Sequence, residues 1–217
     1  MRRWIGAALI LTCPLCLLVG LTGNCWSNEY GSWNQTVSSL YWSSGRNIFV
    51  IGFGFGAIIN LLYKGYDWRD KIVGWLNGLC LLGIIIFPSY NKAILNEGIS
   101  TGLYEIIAHP NHVVVNWIHI SLGLILFILP IINLLFIFTR SSGEKTKKKI
   151  IRNRIYITFG IIILCNLIVN TYSVATYMMQ IKTFIPVQAG LYLETINLII
   201  YGIGWLIKGG SIKILND

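Results

Sequence analysis

The chain has 217 residues, of which 55% are hydrophobic and only 12% are charged. A soluble domain carries about 25% charged residues, so this composition excludes a water-soluble globular domain and indicates a surface that mostly faces lipid. The net charge of +9 would also suit a nucleic-acid-binding protein, but its distribution along the chain, given below, argues against that class. No soluble segment separates the apolar stretches, and we expect one transmembrane domain over residues 1–217.

Six apolar stretches are long enough to cross about 30 Å of hydrocarbon at about 1.5 Å per residue. They predict an all-α membrane protein, a bundle of about six transmembrane helices over residues 4–22, 46–64, 71–88, 113–139, 150–172 and 186–207. The first stretch lacks a clear small-residue cleavage site. We therefore interpret it as a retained helix and not as a signal peptide.

The basic residues alternate from loop to loop. Of the 17 lysines and arginines, all except Arg46, Lys92 and Lys182 fall on the side that also holds the N-terminus. Such a bias marks the cytoplasmic side, and it predicts that both chain ends are cytoplasmic. The same charges face anionic lipid headgroups, so no nucleic-acid partner is needed to explain them.

The predicted outer loops, 23–45 and 89–112, are long, and we expect them to pack over the outer mouth of the bundle. Tyr41 and Trp42 in the first loop, and Trp205 near the other face, are predicted to lie at the membrane–water interfaces, where Trp and Tyr are enriched.

Glycines are spaced four residues apart in two helices. The pairs Gly52 and Gly56, and Gly74 and Gly78, predict close helix contacts, because small residues let two backbones approach.

Polar side chains inside the spans must be explained, because burying them in hydrocarbon is costly. Helical spacing places several of them on common faces. These residues are His112, Asn116 and His119, then Asn166 and Asn170, and finally Glu194, Asn197 and Tyr201. Arg46 and Asn47 open the second helix at the outer interface.

Depth counted from the helix ends places His119, Asn166 and Glu194 at a similar level. We expect them to meet in one outward-facing polar pocket, with His119 or Arg46 as the partner of the Glu194 carboxylate. The candidate ligand-binding residues are Arg46, Asn47, His119, Asn166, Asn170 and Glu194. The alternative is an interhelical hydrogen-bond cluster that only holds the bundle in register.

Other chemistries find less support. Glu105, His109 and His112 have a spacing that can ligate zinc, but Pro110 interrupts the segment, and we expect neither a metal site nor a cofactor. Asp67 and Asp70 are expected to pair with Arg152 or Arg154. No nucleophile triad, phosphate loop or pair of catalytic carboxylates is found, so no catalytic residue is assigned.

Several segments resemble a family of small bacterial six-span membrane proteins of unknown function. The matching segments are Ser39-Leu-Tyr-Trp, Arg46-Asn-Ile-Phe-Val, Tyr63-Lys-Gly-Tyr-Asp, Leu82-Gly, Phe87-Pro, Trp117-Ile-His, Phe136-Ile-Phe-Thr-Arg, Arg152-Asn-Arg-Ile-Tyr, Glu194 and Gly204-Trp-Leu-Ile-Lys-Gly. The resemblance covers most of the chain and implies a topology but no mechanism. A more distant similarity, to the six-span autophagy-modulator and GPI-remodelling family, singles out Arg46, His119 and Glu194 for testing.

The leading hypothesis is a non-enzymatic, multi-pass protein of a bacterial cytoplasmic (inner) membrane that binds a lipid, a small ligand or a partner in the outward pocket. Membrane lipids are the expected partners, nucleic acid is not, and a homo-oligomer is left open. The alternatives are an intramembrane lipid-modifying enzyme, with His119 and Glu194 as acid and base, or an oligomeric channel or transporter.

Overall fold

The computed structural model describes residues 1–22, 36–89, 112–141, 143–144, 146–182, 184–185 and 189–215. Within these ranges every regular element is helical. The long helices are α1 (Arg2–Thr22), α2 (Arg46–Leu61), α3 (Trp68–Ile86), α4 (His112–Ile132), α5 (Lys147–Met178) and α6 (Ala189–Lys208). A 3-10 helix, Val37–Trp42, precedes α2, and a single 3-10 turn, Lys213–Leu215, follows α6.

The predicted all-helical membrane architecture is confirmed in its main feature. In the described part of the chain, α1, α4, α5 and α6 are long and apolar enough to cross a membrane. Helix α2 is apolar but has only 16 residues. Helix α3 has 19 residues, and its first turn carries Arg69, Asp70 and Lys71. Six crossings therefore remain a prediction.

Local chemistry explains where the helix ends differ from the prediction. Helix α3 begins at Trp68 because the Asp67 side chain caps it, accepting a hydrogen bond from the Asp70 N–H at 3.0 Å. Gly65 lies between α2 and α3 with a φ of 70°, a conformation that glycine adopts readily. Helix α5 begins at Lys147, because lysine and arginine are good helix formers that extend a helix into water.

The long helices form a closed ring in chain order. Each helix packs against the next along the chain, and α6 packs back against α1. The α1–α6 contact is close because glycines face each other there. A Cβ atom on Gly202 would stand 2.8 Å from the carbonyl oxygen of Gly6. The ring has α1 and α6 as neighbours because small residues permit that approach.

The predicted glycine contacts are largely confirmed. A Cβ on Gly52 would overlap the Thr12 side chain of α1, and one on Gly78 would stand 2.9 Å from a carbonyl oxygen of α2. A Cβ on Gly74 would come within 3.1 Å of an aromatic ring at the end of α2. Gly56 differs, since a Cβ there would make only an ordinary contact of 3.6 Å.

Successive helices run in opposite directions. The two ends of the bundle differ chemically, because the basic residues collect at one of them. The basic end comprises the described residues within 1–4, 62–71, 138–154 and 207–215, and the opposite end carries the 3-10 helix Val37–Trp42. Arg3 Nε donates to the Gly209 carbonyl at 3.0 Å, joining the first and last helices at the basic end. Of the described lysines and arginines, all except Arg46 and Lys182 lie at this end.

Residues 36–43 cover the opposite end, as predicted for the loop that contains them. Tyr41 and Trp42 are buried there, and Trp42 Nε1 donates to the Ser89 carbonyl at 2.9 Å. Trp205 is also buried, with its ring edge-on to Tyr63. These three rings pack against the protein near the two ends of the bundle, and their placement at the membrane–water interfaces stays a prediction. The rest of the two predicted outer loops, 23–35 and 90–111, lies outside the described residues.

Candidate functional site

A cavity of about 60 Å³ lies at the centre of the ring, and all six long helices contribute to its wall. Most of the lining is apolar. The polar side chains in the wall are Ser38, Asn60, Asn77, Glu194, Asn197 and Tyr201. At roughly 10–15 Å³ for one water, this volume holds about four or five waters or a short part of an apolar ligand.

Three of these residues form a polar ladder along one face of α6. Glu194, Asn197 and Tyr201 are three and four residues apart and all buried, so they project in the same direction. Each is bound by a side chain from a neighbouring helix, as the next two paragraphs describe. The ladder thus runs from the opposite end of the bundle towards its middle.

Glu194 forms the first rung, and both of its carboxylate oxygens are engaged. One accepts the backbone N–H of Val37 at 2.8 Å, and the other accepts the Asn170 amide at 3.1 Å. The carboxylate therefore ties the 3-10 helix and α5 to α6. The structure shows Val37 and Asn170 as the donors to these oxygens, in place of the predicted partners His119 and Arg46.

The other rungs follow the same scheme. The Asn166 amide donates to the Asn197 side-chain oxygen at 2.8 Å. The Tyr201 hydroxyl oxygen accepts a hydrogen bond from Asn133, which begins the π-helical turn Asn133–Ile137 after α4, and a longer one, 3.5 Å, from Asn77 of α3. The structure thus brings the predicted residues of α5 and α6 together in one network.

His119 lies elsewhere. It is buried, and its Nδ1 is 2.7 Å from the carbonyl oxygen of Phe87. Since a carbonyl can only accept, Nδ1 carries the hydrogen and donates it. His119 joins α4 to the end of α3, and it is not among the described residues that line the cavity. The expectation that His119 meets Asn166 and Glu194 is therefore wrong.

Arg46 and Asn47 lie at the opposite end, outside the cavity wall. Arg46 donates to the Tyr41 hydroxyl at 2.9 Å, and its guanidinium carbon is 4.5 Å from the centroid of that ring. Asn47 is exposed. These contacts hold Arg46 against the 3-10 helix.

Asn60 supplies the cavity with an unsatisfied acceptor. Its amide donates to the Gly56 carbonyl at 2.8 Å, whereas its side-chain oxygen is buried without a hydrogen-bond partner in the part of the chain that the structure describes. A buried acceptor left unpaired costs about 1–3 kcal/mol. A ligand or water that donates to this oxygen would recover that free energy.

The sequence pattern did not single out Asn77 and Asn133, which bind Tyr201, or Asn60, which lines the cavity. Each is a single asparagine with apolar residues directly beside it in the chain. The available signal was the general rule that a polar residue within a span faces the protein interior.

No metal centre is apparent among the residues described, since no three His, Cys, Asp or Glu side chains cluster there. Glu105, His109 and the side chain of His112 lie outside the described part.

Asp67 pairs with Arg140 at 2.5 Å. Asp70 accepts hydrogen bonds from the Tyr63 hydroxyl and the Tyr66 N–H. The predicted pairing of these two aspartates with Arg152 or Arg154 is therefore wrong.

Fold and site together define a class: all-helical proteins with several helices apolar enough to cross a membrane and a small polar-walled cavity inside the bundle. No protein-family model, curated protein or solved structure matches this chain. The two family resemblances given above consequently remain predictions.

Proposed function

We propose that this chain crosses the cytoplasmic membrane of a bacterium six times, with both ends in the cytoplasm. Two observations support this. The helices alternate in direction, and the Arg3–Gly209 contact joins the start of α1 to the end of α6 at one end of the bundle. That end also carries nearly all the described basic residues, the charge bias of a cytoplasmic face.

We further propose that the central cavity binds a lipid chain or a small ligand. The ligand would enter from the end of the bundle where Glu194 lies. The observation that carries this proposal is a mostly apolar wall that also contains an intramembrane carboxylate and the unpartnered oxygen of Asn60. Apolar pockets with a few placed polar groups are typical of small-molecule sites. Intramembrane ionisable residues commonly mark such sites.

The geometry supports binding better than acid–base catalysis. His119 donates to a backbone carbonyl, away from Glu194. Ser38 is the only aliphatic hydroxyl in the described cavity wall, and no described hydrogen bond joins it to a base. The transport alternative rests on the polar ladder alone, and flux of ions or solutes into liposomes containing the protein would test it.

The test compares two cavity variants with one surface variant. The protein is purified in mild detergent, co-purifying ligands are identified by native mass spectrometry, and the thermal shift on adding bacterial polar lipid extract is measured. Asn60→Leu removes the unsatisfied acceptor, so we expect the ligand-free protein to keep its stability while the lipid-induced shift falls. Glu194→Gln loses one charge-assisted hydrogen bond, so we expect its stability to fall by about 1.5–3 kcal/mol. We expect the lipid-induced thermal shift to fall as well.

Asn47→Ala is the matched control, since it removes an exposed amide at the same end. It should change neither stability nor the lipid-induced shift. If Asn60→Leu and Glu194→Gln both leave the co-purified ligands and the shift unchanged, the cavity binds nothing and the ladder is a structural network.

A further inference from the structure

A second and larger cavity, of about 830 Å³, lies at the basic end of the bundle. Its wall comes from the turn between α2 and α3, the end of α4, the start of α5 and the end of α6. The charged side chains in this wall are Arg140, Lys149, Arg152 and Lys208, with Asp67 and Asp70 opposite in sign. Four cations from three separate segments of the chain thus share one concave space.

Two of these cations converge on a single neutral atom. Lys149 Nζ donates to the Phe138 carbonyl oxygen at 3.0 Å, and Lys208 Nζ lies 3.4 Å from the same oxygen. Like charges this close repel each other, and a carbonyl oxygen carries only a partial negative charge. An anion placed between the two ammonium groups would replace that repulsion with two charge-assisted hydrogen bonds.

Aromatic rings hold the Lys208 ammonium in place. Its Nζ is 5.0 Å from the ring centroid of Tyr66 and 5.3 Å from that of Phe138, within the range of a cation–π contact. Arg152 donates to the Leu215 carbonyl, so its guanidinium also lies against the protein. The cationic wall is therefore pre-organised, which lowers the entropy lost on binding.

Asp70 adds an unsatisfied acceptor to the same cavity. Its side chain is only 2% exposed, and one carboxylate oxygen accepts from Tyr63 and Tyr66. The other oxygen has no hydrogen-bond partner among the residues that the structure describes. A hydroxyl or amine on a bound anion would supply the missing donor.

We propose that this cavity binds a phosphate group that carries a hydroxyl or amine arm, the chemistry of an anionic phospholipid headgroup such as phosphatidylglycerol. The phosphate oxygens would accept from Lys149, Lys208 and Arg152, and the glycerol hydroxyl would donate to Asp70. Basic pockets between membrane helices on the cytoplasmic side are known to bind such headgroups. The site lies at the end of the bundle away from Glu194 and does not depend on ligand binding in the central cavity.

The full chain is reconstituted in phosphatidylcholine nanodiscs with and without phosphatidylglycerol, and bound lipid and thermal shift are measured. The cavity variant is Lys149→Gln with Lys208→Gln. The control is Lys147→Gln with Lys213→Gln, which removes the same charge from exposed positions at the same end. Each cavity lysine that is replaced loses one charge-assisted hydrogen bond to the phosphate, so the cavity variant should bind phosphatidylglycerol roughly 100-fold more weakly.

The control variant should keep nearly the affinity of the unaltered protein. Equal losses in the two double variants would mean that only the surface charge matters, and equal retention would mean that the cavity binds no anion. Either result overturns the proposal. Glycerol 3-phosphate, added to discs of phosphatidylcholine alone, distinguishes a soluble phosphate from a lipid headgroup. A thermal shift that requires the cavity lysines assigns the site to a soluble phosphate. If glycerol 3-phosphate gives no shift although phosphatidylglycerol binds, the site is assigned to the headgroup.

Asp70→Asn tests the donor arm. Asparagine keeps one oxygen for the Tyr63 and Tyr66 contacts but replaces the unpaired acceptor with an amide. We expect the unaltered protein to prefer phosphatidylglycerol over phosphatidic acid, which lacks the glycerol hydroxyls, and Asp70→Asn to abolish that preference. A preference that survives the substitution would contradict the assigned role of Asp70.

Discussion

At the scale of single residues, Glu194 shows how a carboxylate is accommodated inside an apolar bundle. Its described partners are a backbone N–H and a side-chain amide, so both oxygens are satisfied by neutral donors. A buried polar group needs such partners in order to be tolerated. Because the donors come from the 3-10 helix and from α5, one side chain joins three segments that are distant in sequence.

Asp67 provides a pH-dependent prediction at the same scale. The Asp70 N–H and the Arg140 guanidinium hold the pKa of Asp67 below its usual range. A carboxyl whose pKa is lowered by folding stabilises the protein above its ordinary pKa, near 3.9, and loses that contribution as pH falls through the lowered value. Asp67→Asn keeps a capping side chain but removes the charge. We expect the variant to melt below the unaltered protein at pH 7.

The difference in melting temperature between Asp67→Asn and the unaltered protein should shrink as the pH is lowered below about 4. Thermal unfolding in detergent across this range measures it. A gap that stays constant with pH would show that the Asp67 charge contributes nothing to stability.

At the scale of helices, small residues and one proline decide the geometry. Pro130 lacks the N–H that an α-helix needs, and α4 continues beyond it as a π-helical turn, Asn133–Ile137. The Phe138 N–H binds the Asn133 carbonyl at 2.7 Å, five residues back. The first residue of this turn, Asn133, donates its amide to the Tyr201 hydroxyl.

The α1–α6 contact yields a prediction for two glycines. A Cβ on Gly202 would stand 2.6 Å from an Ile10 side-chain atom and 2.8 Å from the Gly6 backbone oxygen, which cannot rotate away. We expect Gly202→Ala to lower stability by about 1–3 kcal/mol through overpacking. The matched control is Gly123→Ala, because a Cβ there meets nothing within 4 Å and alanine is the better helix former by about 1 kcal/mol.

Unfolding with increasing SDS would measure both glycine variants. The predicted order of stability is Gly123→Ala at or above the unaltered protein, and Gly202→Ala below it. Equal behaviour of the two variants would rule out close packing between α1 and α6.

At the scale of the whole molecule, the closed ring and its two unlike ends imply a fixed orientation in the membrane. The prediction is tested with two exposed lysines, Lys147 at the basic end and Lys182 at the opposite end. Each is changed to cysteine in a cysteine-free background and treated with a membrane-impermeant maleimide in right-side-out vesicles. We expect Lys182→Cys to react at once and Lys147→Cys only after permeabilisation, since we propose that the basic end faces the cytoplasm. Labelling of both from the same side would refute the threading.

The sequence by itself determines the helical architecture, because a backbone in hydrocarbon must satisfy its own hydrogen bonds. It also determines that one end of the bundle is basic, because lysines and arginines favour one side. Helical spacing also sufficed to place Asn166 and Asn170 on one face of α5, and Glu194, Asn197 and Tyr201 on one face of α6, since a common face is a local property. Partners across helices are different. Whether His119 faces Glu194 or the Phe87 carbonyl depends on how α4 is rotated about its axis, and contacts with α3 such as that of Gly83 with Leu122 set that rotation. Only the tertiary structure decides it, because those contacts join residues that are far apart in the chain.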